Sequence, residues 1–196
     1  MSSAVSRQRN PRGEGGRLRE QLLEATVEVL GEVGDADRVS VRAIARRAGV
    51  SPTALYLQFP DREALVDAAV DAGFAAFNAE LTEAASGPAP ARERLEAMGV
   101  AYLAFATQRP ALYSVLFSAR RPMREQPGVP RQRAFEGLAS LLGEVDRALT
   151  PDAARQLALL VWSSLHGYAL LRVARPHFDW PDAETYIHRL LAAHHL

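Results

Sequence analysis

The chain of 196 residues has no cysteine and no lysine. Without cysteine there can be no disulfide, no thiolate nucleophile and no Cys-ligated zinc. All 23 basic residues are arginine, which with the abundant alanine reads as codon bias of a GC-rich genome. Strand signals are also missing: there is no sustained period-two alternation and no Asn-Gly or Asp-Gly hairpin turn. Residues 1–16 are polar and rich in Arg, Gly and Ser, unlike a signal peptide. The apolar runs read as too short to span a bilayer. A cytoplasmic protein with no membrane partner is the expectation. There is no Gly-rich phosphate loop and no nucleophile elbow, so no catalytic residue and no cofactor are expected. His188 and His195 share a face of the last helix but lack a carboxylate or cysteine partner, so no metal site is expected either.

What is present is a chain that is 48% hydrophobic, enough to bury a core. Its formal net charge is zero, which argues against a general nucleic-acid coat protein. The charge is unevenly placed. Residues 1–19 hold Arg7, Arg9, Arg12, Arg17 and Arg19 against Glu14 alone. A balanced whole with a basic tip suits a protein that meets DNA at one end. For the arm itself, a plain tail and a minor-groove reader both remain open.

Helical periodicity recurs along the chain. Leu18, Leu22, Thr26, Val29, Leu30 and Val33 form one face of a first helix. A second runs from Val41 to Ala48, with Ser40 as N-cap and Gly49 as its stop. A third starts at Ser51-Pro52 and ends near Phe59, before Pro60. A fourth begins at Asp61 and reaches about Glu83, with Leu65, Ala69, Ala72 and Ala76 as apolar positions. Helices follow at 91–109, 110–117, 131–149, 151–173 and from Asp182 onward. Residues 118–130 and 175–181 read as connections. The expected fold is all-α with about nine helices: a flexible basic arm over 1–16, a three-helix helix-turn-helix domain over 17–60, and a larger effector-binding and dimerisation domain over 61–196.

The stretch 40–65 carries the chemistry. A helix-turn-helix needs a small residue where its helices cross, a glycine in the turn, and apolar residues on both sides. Ala45, Gly49 and the trio Ile44, Val50 and Leu55 supply these. Leu55 and Phe59 define the inner face of the third helix, which turns Thr53 and Leu57 outward, flanked by Tyr56 and Gln58. Thr53 and Gln58 can hydrogen-bond base edges or phosphates, and Ala54 and Leu57 can meet thymine methyls. Tyr56 can donate to a phosphate. Arg42 can reach a guanine, and Arg62, at a helix N-terminus, a phosphate. Ser40 and Ser51, at the starts of the two helices, complete the DNA-binding set.

This run resembles the TetR family of transcriptional repressors. The arrangement IA-x-x-AGVS-x-x-x-LY-x-x-F-x-x-K/R-x-x-L is present, carried by Ile44, Ala45, Ala48, Gly49, Val50, Ser51, Leu55, Tyr56, Phe59, Arg62 and Leu65. The resemblance implies that Tyr56 and Arg62 clamp phosphates and that Arg42, Thr53, Ala54, Leu57 and Gln58 face DNA. It also implies a homodimer on palindromic double-stranded operator DNA, with its interface on the last two long helices, where Leu157, Leu160, Val161, Leu165, Ile187, Leu190 and Leu191 provide apolar surface. Leu57-Gln58 departs from the aromatic or histidine found there in many relatives, and arginine replaces the usual lysine at 62.

The remainder resembles a Trp-His-Gly type of TetR-family C-terminal domain through Trp162, His166 and Gly167, and through Pro110 to Tyr113 followed by Leu116 and Phe117. That likeness implies a pocket for an unknown small-molecule effector. Phe74, Phe77, Met98, Tyr102, Phe105, Tyr113, Phe117, Trp162 and His166 are its candidate lining. For each, plain core is the competing reading, and His166 can equally bond a core partner. A regulator released from DNA by a ligand is the expected function. A DNA-binding or scaffolding protein without a ligand is the alternative, marked by a filled core.

Overall fold

The computed structural model describes residues 14–117 and 130–196. Arg7, Arg9 and Arg12 of the expected arm, and the expected connection 118–130 up to residue 129, lie outside the described residues. Among the described residues nine α-helices occur: α1 (Glu14–Val33), α2 (Val41–Arg47), α3 (Pro52–Tyr56), α4 (Arg62–Ala84), α5 (Ala91–Gln108), α6 (Pro110–Leu116), α7 (Pro130–Val145), α8 (Pro151–Ala174) and α9 (Ala183–Ala193). Residues 14–16, expected in the arm, already belong to α1. A short 3-10 turn at Ala36–Arg38, which periodicity does not reveal, joins α1 to α2.

Local chemistry sets the boundaries. Ser40, Ser51, Asp61, Thr150 and Asp182 each accept a backbone N–H three residues on, capping α2, α3, α4, α8 and α9. Prolines at 52, 110 and 151 occupy first turns, where no N–H is needed. Helix α3 is shorter than expected, ending at Tyr56 rather than near Phe59. Leu57 caps it, and the N–H groups of Gln58 and Phe59 both turn back to the Leu55 carbonyl. Pro60 disfavours helical conformation at Phe59, which ends the turn there. Helix α7 likewise stops at Val145, four residues before the expected end.

Helix α1 packs against α2, α4 and α6, and α4 continues onto α5 and α7. One contiguous core therefore runs from Leu22, Ile44 and Leu55 to Leu142, Leu165 and Leu191. The buried face of α4 is Leu65, Val66, Ala69, Val70, Gly73, Phe74, Phe77, Asn78 and Leu81. Ala76, expected on that face, is exposed, and Ala72 is half-buried. The aromatic rings and Val70 claim the interior and rotate the alanines outward.

Helix α8 corrects another expectation. Its 24 residues include a window of mean hydropathy 1.4, long and apolar enough to cross a membrane by length and composition. Only 28% of that window is buried within the chain. Of the seven apolar residues expected to form an outer surface on α8 and α9, Val161, Leu165, Ile187 and Leu191 are buried in this chain's own core. Leu157 and Leu190 are half-buried, and only Leu160 is exposed. The outward apolar residues of α8 are Leu159, Leu160, Leu170, Leu171 and Val173.

Candidate functional site

Helices α2 and α3 meet at a turn closed by two hydrogen bonds. The Val50 N–H donates to the Ala45 carbonyl at 2.9 Å, and the Gly49 N–H to Arg46 at 3.3 Å. This pairing needs a left-handed residue at Gly49, whose φ is +66°. Ile44, Ala45 and Leu55 are buried at the crossing. The Gln21 amide donates to the Ala48 carbonyl at 2.7 Å, and Arg47 bridges Glu28 and Glu32, so α1 holds the turn from behind.

The surface so held carries Arg42, Arg46, Ser51, Pro52, Thr53, Tyr56 and Leu57. Tyr56 is 53% and Leu57 77% exposed, unusual for such large side chains. Ala54 and Gln58 are half-buried, and Ser40 is exposed. The Ser40 and Ser51 hydroxyl oxygens are engaged as helix caps, at 3.1 and 3.2 Å from the N–H groups they accept. Arg62 also has partners within the chain. Its guanidinium turns inward and donates to the Ala36 and Val39 carbonyls at 2.8 and 3.1 Å, while Glu63 pairs with it at 3.2 Å. It ties the start of α4 to the segment preceding α2.

At the other end of α4 the helices surround a cavity of about 480 Å³. Seven of the nine expected lining residues reach it: Phe74, Phe77, Met98, Tyr102, Phe117, Trp162 and His166. Phe105 does not. It is buried behind Phe77, ring to ring at 5.0 Å, with the Arg109 guanidinium over its outer face. Tyr113 also lies behind the lining, where its hydroxyl stands 2.7 Å from that of Tyr102 and 2.6 Å from His166 Nδ1.

The walls include residues that periodicity did not single out, notably Phe135 and Leu138 of α7 and Ile187 and Leu190 of α9. On sequence they are indistinguishable from packed core. Phe135 stands edge-on to Trp162, with ring centroids 6.4 Å apart. At Gly99 the approach of α9 is close, since a Cβ there would lie 2.8 Å from Ile187 Cδ1.

Burial dominates the electrostatics. It pushes the Tyr102 hydroxyl up to about 12, against hydrogen bonds with Tyr113 and Trp162 that pull the other way. Tyr113 is pushed up further, by burial and by the neighbouring Tyr102. Burial also holds the His166 imidazole below its ordinary value, favouring the neutral ring. Among the described residues no group of three or more His, Cys, Asp or Glu is arranged to hold a metal. The arrangement offers recognition: an exposed helix surface at one end and an apolar chamber with one polar corner at the other.

Comparison with known proteins agrees with both ends. Residues 22–69 match the family described as bacterial regulatory proteins, tetR family. Residues 95–194 match the family described as tetracyclin repressor-like, C-terminal domain. Over 142 residues the chain is 32% identical to the nucleoid occlusion factor SlmA of Marinobacter nauticus, covering 70% of this chain and 69% of that one. The fold is similar to that of a protein of unknown function from Rhodococcus sp. RHA1, with a TM-score of 0.72 at 25% identity, covering 97% of this chain and 96% of the other. It is also similar to the regulator FadR from Bacillus subtilis, solved in complex with stearoyl-CoA, with a TM-score of 0.65 at 21% identity over 88% of this chain and 95% of the other.

Proposed function

Because the chain belongs to the TetR family of DNA-binding transcriptional regulators, which are not enzymes, we propose that it is a cytoplasmic repressor. In this reading a homodimer binds a palindromic operator, and a small molecule entering the cavity releases it. The observation that carries the reading is the path of α4. Asp61 caps it and Arg62 opens it beside the helix-turn-helix, and Phe74 and Phe77 on the same helix line the cavity. Its 23 residues span roughly 34 Å at about 1.5 Å each. A volume of about 480 Å³ falls within the range of small-molecule sites.

The proposed division keeps residues 17–60 as the DNA reader and 61–196 as the effector-binding and dimerisation unit, of the Trp-His-Gly type. Arg42, Thr53, Ala54, Leu57 and Gln58 face bases, Tyr56 donates to a phosphate, and Ser40 and Ser51 lie at the groove edge. Arg62 clamps a phosphate, held at the start of α4 by its hydrogen bonds to the Ala36 and Val39 carbonyls. A dimer through α8 is favoured by its outward leucines and by Gly167 between them, where an added Cβ would meet nothing within 4 Å. Small residues on an otherwise apolar face let a second helix approach, and a two-fold pair would cover the apolar surface of α8 with protein.

The test is reciprocity. A ligand that weakens operator binding must itself be weakened by operator, by the same factor, with a coupling of about 1–3 kcal/mol. Titration calorimetry with and without operator reads both legs of the cycle. Identical ligand affinities in the two titrations, or a monomer in sedimentation at micromolar concentration, would overturn the mechanism. The likeness to a nucleoid occlusion factor supports a second reading, a DNA-bound factor acting without a small molecule. An open cavity of this size favours the sensor over it.

A further inference from the structure

The polar corner of the cavity is a hydrogen-bond relay built from three helices. The Tyr102 hydroxyl of α5 lies 2.7 Å from the Tyr113 hydroxyl of α6, which lies 2.6 Å from His166 Nδ1 of α8. Two phenols and a neutral imidazole carry three exchangeable hydrogens between them. The two internal bonds use two of these. One hydrogen is left over, on His166 Nε2 or on the Tyr102 hydroxyl, according to which way the relay runs. The opposite end then presents a lone pair. Tyr102 and His166 both line the cavity, and Tyr113 joins them from behind.

At the relay itself a ligand entering the chamber therefore meets one donor and one acceptor. A hydroxyl group matches either direction of the relay, since it gives and takes a hydrogen bond, and a carbonyl oxygen matches the donor. A carboxylate has no hydrogen to give and brings a charge. Among the described residues lining the cavity, Gln132 is the one polar side chain besides Tyr102, Trp162 and His166, and none is Arg, Asp or Glu. The rings of Tyr113, Phe117 and Trp162 crowd His166, and among the described residues the titratable groups that face it are Tyr102 and Tyr113. Among the described residues nothing there would compensate a buried charge, and an uncompensated charge costs far more to bury than a neutral group that finds its partners.

Building on the sensor reading above, we propose that the cavity takes an uncharged, largely apolar molecule carrying one hydroxyl or carbonyl group, which completes the Tyr102–Tyr113–His166 relay. Tyr113 is a positioning residue in this scheme, acting on the ligand through the two groups it links.

Decanol, decanoate and decanoyl-CoA share a chain and differ in head group, so they separate the neutral from the charged classes. Titration calorimetry of the full chain at neutral pH is expected to find decanol bound at least about tenfold more tightly than decanoate. In Tyr113→Phe that preference should collapse, whereas a merely structural role would weaken both probes alike and leave the preference intact. Decanoate or decanoyl-CoA binding as tightly as decanol overturns this inference and leaves the sensor reading standing. Binding of none of the three overturns both. Should Tyr113→Phe not fold, the wild-type chain in buffers of different ionisation enthalpy still decides the matter. Decanol should bind without net proton uptake, and uptake approaching one proton would mean that an imidazolium forms at His166, sinking the proposal.

Discussion

At the helix-turn-helix, Ile44, Ala45 and Leu55 fill a small core in which each turn is fixed by a local hydrogen bond. At the far end of α4, Phe77, Tyr102 and Trp162 surround open space. The first region is small and held tightly by caps, a left-handed glycine and the Gln21 and Arg47 braces from α1. The second is larger, and its lining rings meet at ring-centroid separations of 5.1 to 6.4 Å without closing over the centre. A reader of DNA must present a fixed surface. On the proposed reading the other end is a receptor, which must accept a guest and so leaves packing energy unrealised where the guest would sit.

The sharpest way to break this contrast is truncation on both sides of it. Leu55→Ala, in a fully buried site, should cost about 2–5 kcal/mol in denaturant unfolding and take operator binding with it. Leu190→Ala, half-buried on the cavity wall, should cost less than about 2 kcal/mol, because its neighbours already face empty space. Equal losses would mean that the chamber is as tightly packed as the reader.

Next in size is Arg42→Ala, expected to lose about 1–3 kcal/mol of discrimination at one base pair per half-site. Tyr56→Phe should instead weaken specific and random duplex alike. Gel-shift titrations on both duplexes read the difference, and an equal loss on both for Arg42→Ala would remove its base-reading role. Gly49→Ala, forced into φ +66°, should cost about 1–2 kcal/mol in thermal unfolding although nothing lies near the added methyl.

The smallest effect belongs to the cavity. The His166 imidazole is held below its ordinary 6.5, so the unfolded chain binds the proton first as pH falls. Stability should therefore be complete above pH 6.5 and decline as the pH drops below it, and His166→Gln should remove that component of the slope. A pH–stability profile unchanged by the substitution would place the ring in water rather than in the corner of the chamber.

Much of the fold could be read along the chain. Ser40, Ser51, Asp61, Thr150 and Asp182 are caps whose hydrogen bonds close within three residues, and prolines and Gly49 punctuate the chain in ways that depend on their own covalent structure. The inner face of α4 is less legible, because alanine is compatible with either side of a helix and only the neighbouring rings decide which. The cavity was half legible. Aromatics at helical spacing mark a face that turns inward, but not whether the inward side is filled. Phe105 and Phe77 have the same residue type on adjacent helices, yet one is backed by another helix and the other by space.

Arg62 makes the same point for charge. Its position at a helix N-terminus invites a phosphate on sequence grounds, but nothing along the chain shows that the carbonyls of Ala36 and Val39, more than twenty residues away, also accept from its guanidinium. Their approach depends on a 3-10 turn that has no periodic signature. What is local can be read along the chain: the helices, their caps, the helix-turn-helix and its outward residues, since those depend on groups a few positions apart. Packing between distant helices sets Tyr113 behind the wall rather than in it, joins the Tyr102 and Tyr113 hydroxyls to His166 Nδ1, and leaves Leu159, Leu160, Leu170 and Leu171 of α8 outside. Each is a matter of how helices distant in sequence approach one another, and close packing makes that approach a property of the whole set of side chains rather than of any one segment.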